Sequence, residues 1–435
     1  MPFFYSMDTK TLYSYFLKSS SVITDSRKTE KGTMFVCLQG ENFNGNKFAE
    51  EALKKGASFV VVDDLEYFKK NDQYILVEDC LKSLQELAHY HRIQFDIPVI
   101  GLTGSNGKTT TKELMKSVLS ERFNITATFG NLNNHIGVPL TLLNINSKTE
   151  IALIEMGANH KKEIDFLAHI TDPTHGYITN FGKAHLEGFG SLAGVIKGKS
   201  ELYVYLANNK GVAIINFEDS LQLEHTNDQK TYSFGNSKDA ALIIKKNTID
   251  PEGHLAVSVA GELIQSKLKG AYNYPNIKAA IAFGFYFEIP LEMIKKGIEK
   301  YTPTNNRSQW HKTNSNTLVL DAYNANPSSM KAALDSFLNA TKKNHVLILG
   351  DMLELGEFSL EEHQKVIDYL SIQKAECVLL IGSEFKKVQT EDSNFIKFDK
   401  TDLAIPYLQK KKFQNKTILI KGSRGIALEQ LQGYL

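Results

Sequence analysis

The stretch IGLTGSNGKTTTKEL at 100–114 carries the clearest chemistry in this chain of 435 residues. An apolar run enters a Gly-rich turn, and Gly107, Lys108 and Thr109 then open a helical pattern. Backbone N–H groups of such a turn, together with the helix N-terminus, form an anion site. Gly104, Ser105, Asn106 and Gly107 would cradle phosphates, with Thr110 beside them. Lys108 would reach the β- and γ-phosphates, and the Thr109 hydroxyl would ligate Mg²⁺. The usual loop places glycine six positions before the lysine; here Leu102 stands there, so the pattern is a shortened variant. The bland alternative is a tight strand-to-helix turn that binds nothing. Gly-Lys-Thr directly after an apolar strand favours a nucleotide. Which reaction the nucleotide serves stays open at this point among kinase, GTPase switch, motor and ligase.

Two further positions fall at the carboxyl ends of apolar runs, where open α/β sheets gather their ligand sites. Glu155 ends the run IALIEM and is placed to hold Mg²⁺ beside the loop. His185 lies in NFGKAHLEGFG, just after the run at 176–179, and is a metal or catalytic candidate. Lys199, Lys197 and Lys183 look by pattern like ordinary solvated lysines.

These positions need a scaffold, and the chain divides by pattern into three α/β stretches. The first, 1–95, mixes short apolar runs at 34–38, 59–63 and 74–77 with helical stretches at 48–55 and 81–92. The second, 96–302, alternates strands at 99–102, 151–156, 176–179 and 212–216 with helices at 109–122, 161–170 and 192–206. That alternation predicts a parallel sheet covered on both faces. Alternating runs within 240–267 predict an antiparallel edge, and helices at 273–287 and 291–301 close the stretch. The third, 303–435, reads as strands at 318–321, 346–350, 377–382 and 417–422, with helices at 328–341, 360–370 and 426–433. That is a second doubly wound, Rossmann-like unit.

Composition excludes several classes. Hydrophobic residues make up 42% and charged residues 23%, which are globular values. With 50 Lys plus Arg against 49 Asp plus Glu, the net charge of +1 gives no reason to expect nucleic acid or an anionic membrane as partner. The three widely spaced cysteines, Cys37, Cys80 and Cys377, form no CxxC pair and predict neither a zinc site nor a disulfide framework. MPFFYSMDTK does not read as a secretory leader, and no apolar stretch is long enough to span a bilayer. A cytoplasmic location is the expectation.

Several ordered motifs point further. They are TDSRKTEKGTMFVCLQG at 24–40, TGSNGKTTTKE at 103–113, GNLNNHIGVPLTLL at 130–143 and EMGANHKKEI at 155–164. GAYNYPN at 270–276, DAYNANPSSM at 321–330, LGDMLELGE at 349–357 and KGSRGIALE at 421–429 follow in order. Over nearly its whole length the chain resembles the Mur ligase family. DAYNANPSSM and LGDMLELGE resemble the branch that adds D-alanyl-D-alanine to a UDP-linked muramoyl tripeptide in peptidoglycan synthesis. The resemblance implies three domains: a small UDP-binding domain, a central ATPase domain and a Rossmann-like ligase domain. It implies ATP, two Mg²⁺ ions and an acyl-phosphate intermediate.

Residue roles follow from the same resemblance. Lys199, within KSE, would be a carbamylated metal ligand alongside Thr109, Glu155 and His185. Asn273 and Asn276 would read the adenine edge, and Asp321 would contact the ATP ribose. Asn324 and Asn326 would lie near the reacting groups, although a polar helix cap before Pro327 is the simpler alternative. Arg307 would clamp phosphate, and Arg424 carboxylate or phosphate, since guanidinium matches both bidentately. Ser26, Arg27, Asn44 and Gly45 would meet the UDP-sugar. A monomer is expected. Two departures stand out: Tyr272 replaces the family's frequent His, and Asn44-Gly45-Asn46 replaces Asp-Gly-His. A sister ligase, a P-loop switch and a non-catalytic UDP-sugar-binding protein are the alternatives.

Overall fold

Apolar runs become the buried strands of three separate α/β sheets in the computed structural model. It describes residues 7–435 apart from 248, 249, 251, 252, 304–306, 308, 341–343, 374 and 376. The first sheet is parallel, in the spatial order Val22–Ile23, Met34–Val36, Phe59–Val62, Tyr74–Leu76. Two helices that the pattern reading divides unequally pack together here: Cys80–Arg92 was legible, Thr9–Phe16 was not. Asp8 caps the latter by accepting from the Thr11 N–H, which satisfies one of the open donors at its start. Cys37 and Cys80 are buried free thiols.

Among the described residues the central sheet has nine strands. Val99–Thr103 lies between His175–Ile178 and Ile151–Glu155, all parallel. Every residue of Val99–Thr103 and Ile151–Glu155 is buried, as expected for strands covered on both faces. This order sets three carboxyl ends side by side, so the phosphate loop, Glu155 and the His185 loop emerge together. The expected antiparallel edge is formed by Leu242–Lys246, His254–Val259 and Glu262–Lys269. Strands Ile125–Ala127 and Thr231–Gly235 were not read from the pattern; both are short and half-exposed.

The third sheet runs Gln309–Lys312, Thr317–Asp321, Thr417–Lys421, His345–Gly350, Val378–Ile381, Phe395–Phe398, parallel except for the first pair. Its register sets Asp321 beside Lys421. The helix expected at 426–433 is instead two 3-10 segments, Arg424–Ile426 and Leu428–Tyr434, joined by Ala427 at φ +56°. A left-handed residue interrupts α-helical bonding, and the buried pair Leu428 and Leu431 has the three-residue spacing of the tighter helix. Helix Thr401–Lys411, unread in the sequence, holds Pro406 in its interior. Among the described residues no helix is long and apolar enough to cross a membrane.

Candidate active site

The phosphate loop is built by backbone geometry that only glycine tolerates at two points. Gly104 has φ +138°, and a Cβ there would lie 2.0 Å from the Thr179 Oγ1. Gly107 has φ +81° and begins helix Lys108–Leu119; a Cβ there would meet the Asn276 Oδ1 at 2.6 Å. The neighbouring strand end pins the turn. Ser105 N–H donates to the Asn180 carbonyl at 3.0 Å, and Thr179 Oγ1 donates to the Asn106 carbonyl at 2.6 Å. Lys108 Nζ folds back onto the Gly104 carbonyl at 2.6 Å, and desolvation holds its pKa below the usual lysine range.

Glu155 lies directly beneath this loop and is 1% exposed. Its Oε1 accepts from Thr109 Oγ1 at 3.2 Å and from Asn133 Nδ2 at 2.8 Å. Its Oε2 is buried without a hydrogen-bond partner, with Lys112 Nζ 3.9 Å away. A hydroxyl and a buried carboxylate with an oxygen to spare fit a hard cation that takes its other ligands from water and phosphate. Among the described residues no three His, Cys, Asp or Glu side chains converge as a metal cage.

Lys199 is fully buried on helix Leu192–Asn208. Its Nζ donates to the Ala158 carbonyl at 3.1 Å and lies 5.1 Å from the centre of the Phe189 ring. Burial pushes its pKa well down, and the nearby Lys108 cation adds to the effect. Reading it as a solvated lysine is therefore wrong: its helix packs that face onto the sheet. Lys197 is exposed, as expected. Lys183 also departs from the expectation. Its Nζ donates to Glu362 Oε1 at 2.7 Å, and its N–H donates to Ser328 Oγ at 2.8 Å. His185 Nδ1 lies 2.5 Å from Glu354 Oε2, and this contact, chiefly, holds the Glu354 carboxyl below the usual range.

The third sheet faces this edge across a cleft of about 750 Å³. Asn326 Nδ2 donates to Asn106 Oδ1 at 2.7 Å, joining the third sheet's unit to the phosphate loop. Asn326 Oδ1 also accepts from the Ser329 N–H at 2.9 Å, so the residue caps helix Pro327–Ala340 as well. Asn324 Oδ1 accepts from the Ala325 N–H, and its side chain borders the cleft. Buried Lys421 donates to Asp321 Oδ2 at 2.6 Å. The guanidinium of Arg307 stacks 3.7 Å from the centre of the Tyr323 ring, and that of Arg424 lies 5.4 Å from it.

Three family models match the chain in order. They are "Mur ligase family, catalytic domain" at 18–92, "Mur ligase middle domain" at 102–284 and "Mur ligase, glutamate ligase domain" at 306–424. The chain is 36% identical to the UDP-N-acetylmuramoyl-tripeptide–D-alanyl-D-alanine ligase of Bacillus subtilis (strain 168), over 94% of this chain and 92% of that one. The chain belongs to the Mur ligase family. The Escherichia coli (strain K12) ligase of the same name is 35% identical, over 94% and 92%. The crystal structure of MurF from Acinetobacter baumannii superposes with a TM-score of 0.87 at 29% identity, covering 98% of this chain and 97% of that one. MurF from Thermotoga maritima in complex with ADP superposes with a TM-score of 0.83 at 25% identity, covering 96% and 97%.

In this Mur ligase the cleft gathers Ser105, Asn106, Gly107, Lys108, Thr109 and Thr110 with Glu155 and His185. Asn273, Asn276, Arg307, Asp321, Asn324 and Asn326 line it too. Asn276 spends its amide internally, accepting from Thr111 Oγ1 at 3.0 Å and donating to Asn273 Oδ1 at 2.8 Å. Gly104 and Lys199 lie behind the lining, and Arg424 outside it. Ser26, Arg27, Asn44 and Gly45 do not line it either. Arg27 is paired bidentately with Asp25 at 2.9 Å, which holds that carboxyl at about 2. Asn44 Oδ1 accepts from the Asn46 N–H at 2.9 Å, and the buried Asn46 donates to Asp63 Oδ1 at 2.8 Å. In this chain the departure from Asp-Gly-His thus forms an amide-carboxylate network that ties the loop down. Lys421, Tyr323, Lys112 and Glu354 escaped the pattern reading. All four lie inside motifs already noted, but no spacing pairs Lys421 with Asp321 or Glu354 with His185.

Proposed function

We propose that this chain uses ATP to join D-alanyl-D-alanine to UDP-N-acetylmuramoyl-tripeptide, giving the pentapeptide precursor of peptidoglycan with ADP and phosphate as co-products. The observation that carries the reading is the Asn326–Asn106 hydrogen bond of 2.7 Å, which sets the third domain's motif directly against the phosphate loop. A carboxylate needs activation before an amine can displace its oxygen. The γ-phosphoryl group of ATP moves to the terminal carboxylate of the tripeptide, releasing ADP. The amine of D-alanyl-D-alanine attacks the acyl carbon, phosphate leaves with the C–O electron pair, and the amine proton passes to solvent.

The chain's groups match these steps. Lys108 leaves the Gly104 carbonyl for the transferring phosphoryl group, whose charge it offsets. Asp321, held by Lys421, accepts from the ATP ribose, and Asn273 and Asn276 border the base. Arg307 clamps phosphate oxygens. Thr109, Glu155 and His185 would hold Mg²⁺, with Lys199 as a carbamate; the ions supply charge neutralisation at the phosphoryl oxygens. The uncharged amine favoured by the burial of Lys199 is the form that reacts with carbon dioxide. Ser26, Arg27, Asn44 and Gly45 serve the UDP end. Domain boundaries near 95 and 302, a cytoplasmic location and a monomeric state belong to the same reading.

ATP turnover measured with and without D-alanyl-D-alanine, together with the product mass, tests the proposal. Turnover should require both co-substrates, and the product mass should equal that of the pentapeptide. Incorporation of a single amino acid instead would sink it in favour of a sister ligase.

A further inference from the structure

We infer that Glu354, carried by the third domain, is a positioning residue for His185 of the central domain, so that the imidazole takes its working orientation only when the two domains dock. The inference rests on the ligase reading and deepens it.

Glu354 grips one loop twice. Its Oε2 lies 2.5 Å from His185 Nδ1, and its backbone carbonyl accepts from the Glu187 N–H at 3.2 Å. Both residues hold left-handed backbone, His185 at φ +52° and Glu354 at φ +64°. Residues with a side chain seldom adopt that conformation. Such strain persists where the surroundings over-determine it, and it clusters at functional sites. Two strained residues meeting side chain to side chain across a domain interface form a single constraint.

The third domain spends its own bonds to aim Glu354. Met352 N–H donates to the buried His363 Nε2 at 2.9 Å, and Leu353 N–H donates to Ser423 Oγ at 2.9 Å. The next residue, Glu354, then projects across the interface. On the central side the Phe189 N–H donates to the His185 carbonyl at 3.1 Å, starting a short helical turn. A second contact, Lys183 to Glu362 at 2.7 Å, docks the same loop without touching the imidazole.

The chemistry gives the arrangement a purpose. A neutral imidazole has one N–H and one lone pair, and the partner of one nitrogen decides the other. A carboxylate at Nδ1 makes Nδ1 the donor and leaves the Nε2 lone pair for the site, as carboxylate–histidine pairs do behind metals. The oxygen stands off the N–H axis in this state, since Nδ1 makes no aligned hydrogen bond. Catalytic hydrogen bonds commonly align only once substrates are bound.

The test uses the full chain with Glu354→Ala and Glu354→Gln. Steady-state ligation gives kcat and each KM, and nitrogen NMR of histidine-labelled protein reads the ring tautomer, with His185→Gln assigning the signals. Glu354→Ala should lower kcat by roughly 10–100-fold, leave the KM for ATP within about threefold, and shift the His185 ring nitrogens towards a tautomer mixture. Glu354→Gln keeps an acceptor and should recover part of both. A Glu354→Ala enzyme with kcat within about twofold of wild type would overturn the inference. So would equal impairment of both variants with unchanged His185 signals, which would mean docking alone. Wild-type protein that fails to ligate D-alanyl-D-alanine would instead refute the parent reading, and the ring signals would still report on Glu354.

Discussion

The phosphate loop at 104–107 and the loop at 181–189 leave neighbouring strands of one sheet, yet they are held differently. The phosphate loop is fixed mainly from within the central domain. Two left-handed glycines turn it, and Thr179 and Asn180 pin its backbone. The second loop depends on the third domain, through Lys183 with Glu362, Lys183 with Ser328, and His185 with Glu354. An anion site made of backbone can be complete before substrate arrives. A site sharing its imidazole with another domain is complete only on docking, so it can withhold chemistry until all substrates are in place.

The comparison breaks most visibly at Lys108. Lys108→Ala should lower ligation by about 10²–10⁴-fold, because it removes the cation proposed to offset the charge of the transferring phosphoryl group. Calorimetry should show UDP-tripeptide binding intact, since the proposed function assigns its UDP end to the first domain. Near-normal turnover would remove the loop from the mechanism.

Lys199 lies behind both loops. Lys199→Ala should lose most activity, and a small carboxylate in the buffer should restore part of it by supplying the anionic oxygens of the proposed Lys199 carbamate. Lys197→Ala, at an exposed position on the same helix, should behave like wild type. If Lys197→Ala dies and is rescued while Lys199→Ala survives, the metal-ligand assignment is wrong.

A smaller effect should separate the loops. Glu362 is nearly buried and keeps a second partner, Lys365 at 3.0 Å, when Lys183 is removed. Lys183→Ala should thus cost about 0.5–1 kcal/mol of docking, a few-fold change in turnover. Binding of ADP to the phosphate loop should be unaffected. Loss of ADP affinity in Lys183→Ala would show that the two loops are not independent.

The weakest expected signal concerns the sheet beneath both loops. His175 begins the strand that feeds the second loop, and burial depresses its pKa from 6.5 to about 4. Between those values the unfolded chain binds the extra proton and the folded one does not, so stability falls as pH drops through that window. The melting temperature should decline from about pH 6.5 towards pH 4, and less steeply in His175→Gln. An identical slope in the variant would assign the acid sensitivity elsewhere.

What could be read along the chain was local. Gly104 to Thr109, the apolar strands and the strand-end Glu155 are contiguous patterns, because turns, helix starts and buried strands are dictated by neighbours in sequence. The Pro406 helix and the edge strand Ile125–Ala127 escaped because their local signal is weak or broken. The lysines show the limit more sharply. Lys183, Lys197 and Lys199 lie within one short stretch of chain, yet one bridges two domains, one is solvated and one is fully buried. Helix phase against the sheet separates Lys197 from Lys199, and only the docking of a distant domain occupies Lys183. Asp321 meets Lys421 through strand register, and Asn326 meets Asn106 across the cleft. Such pairings carry no local pattern. They come from strand order and domain packing, whose free energy is gathered over hundreds of burial contacts, none of them readable at the two residues that finally touch.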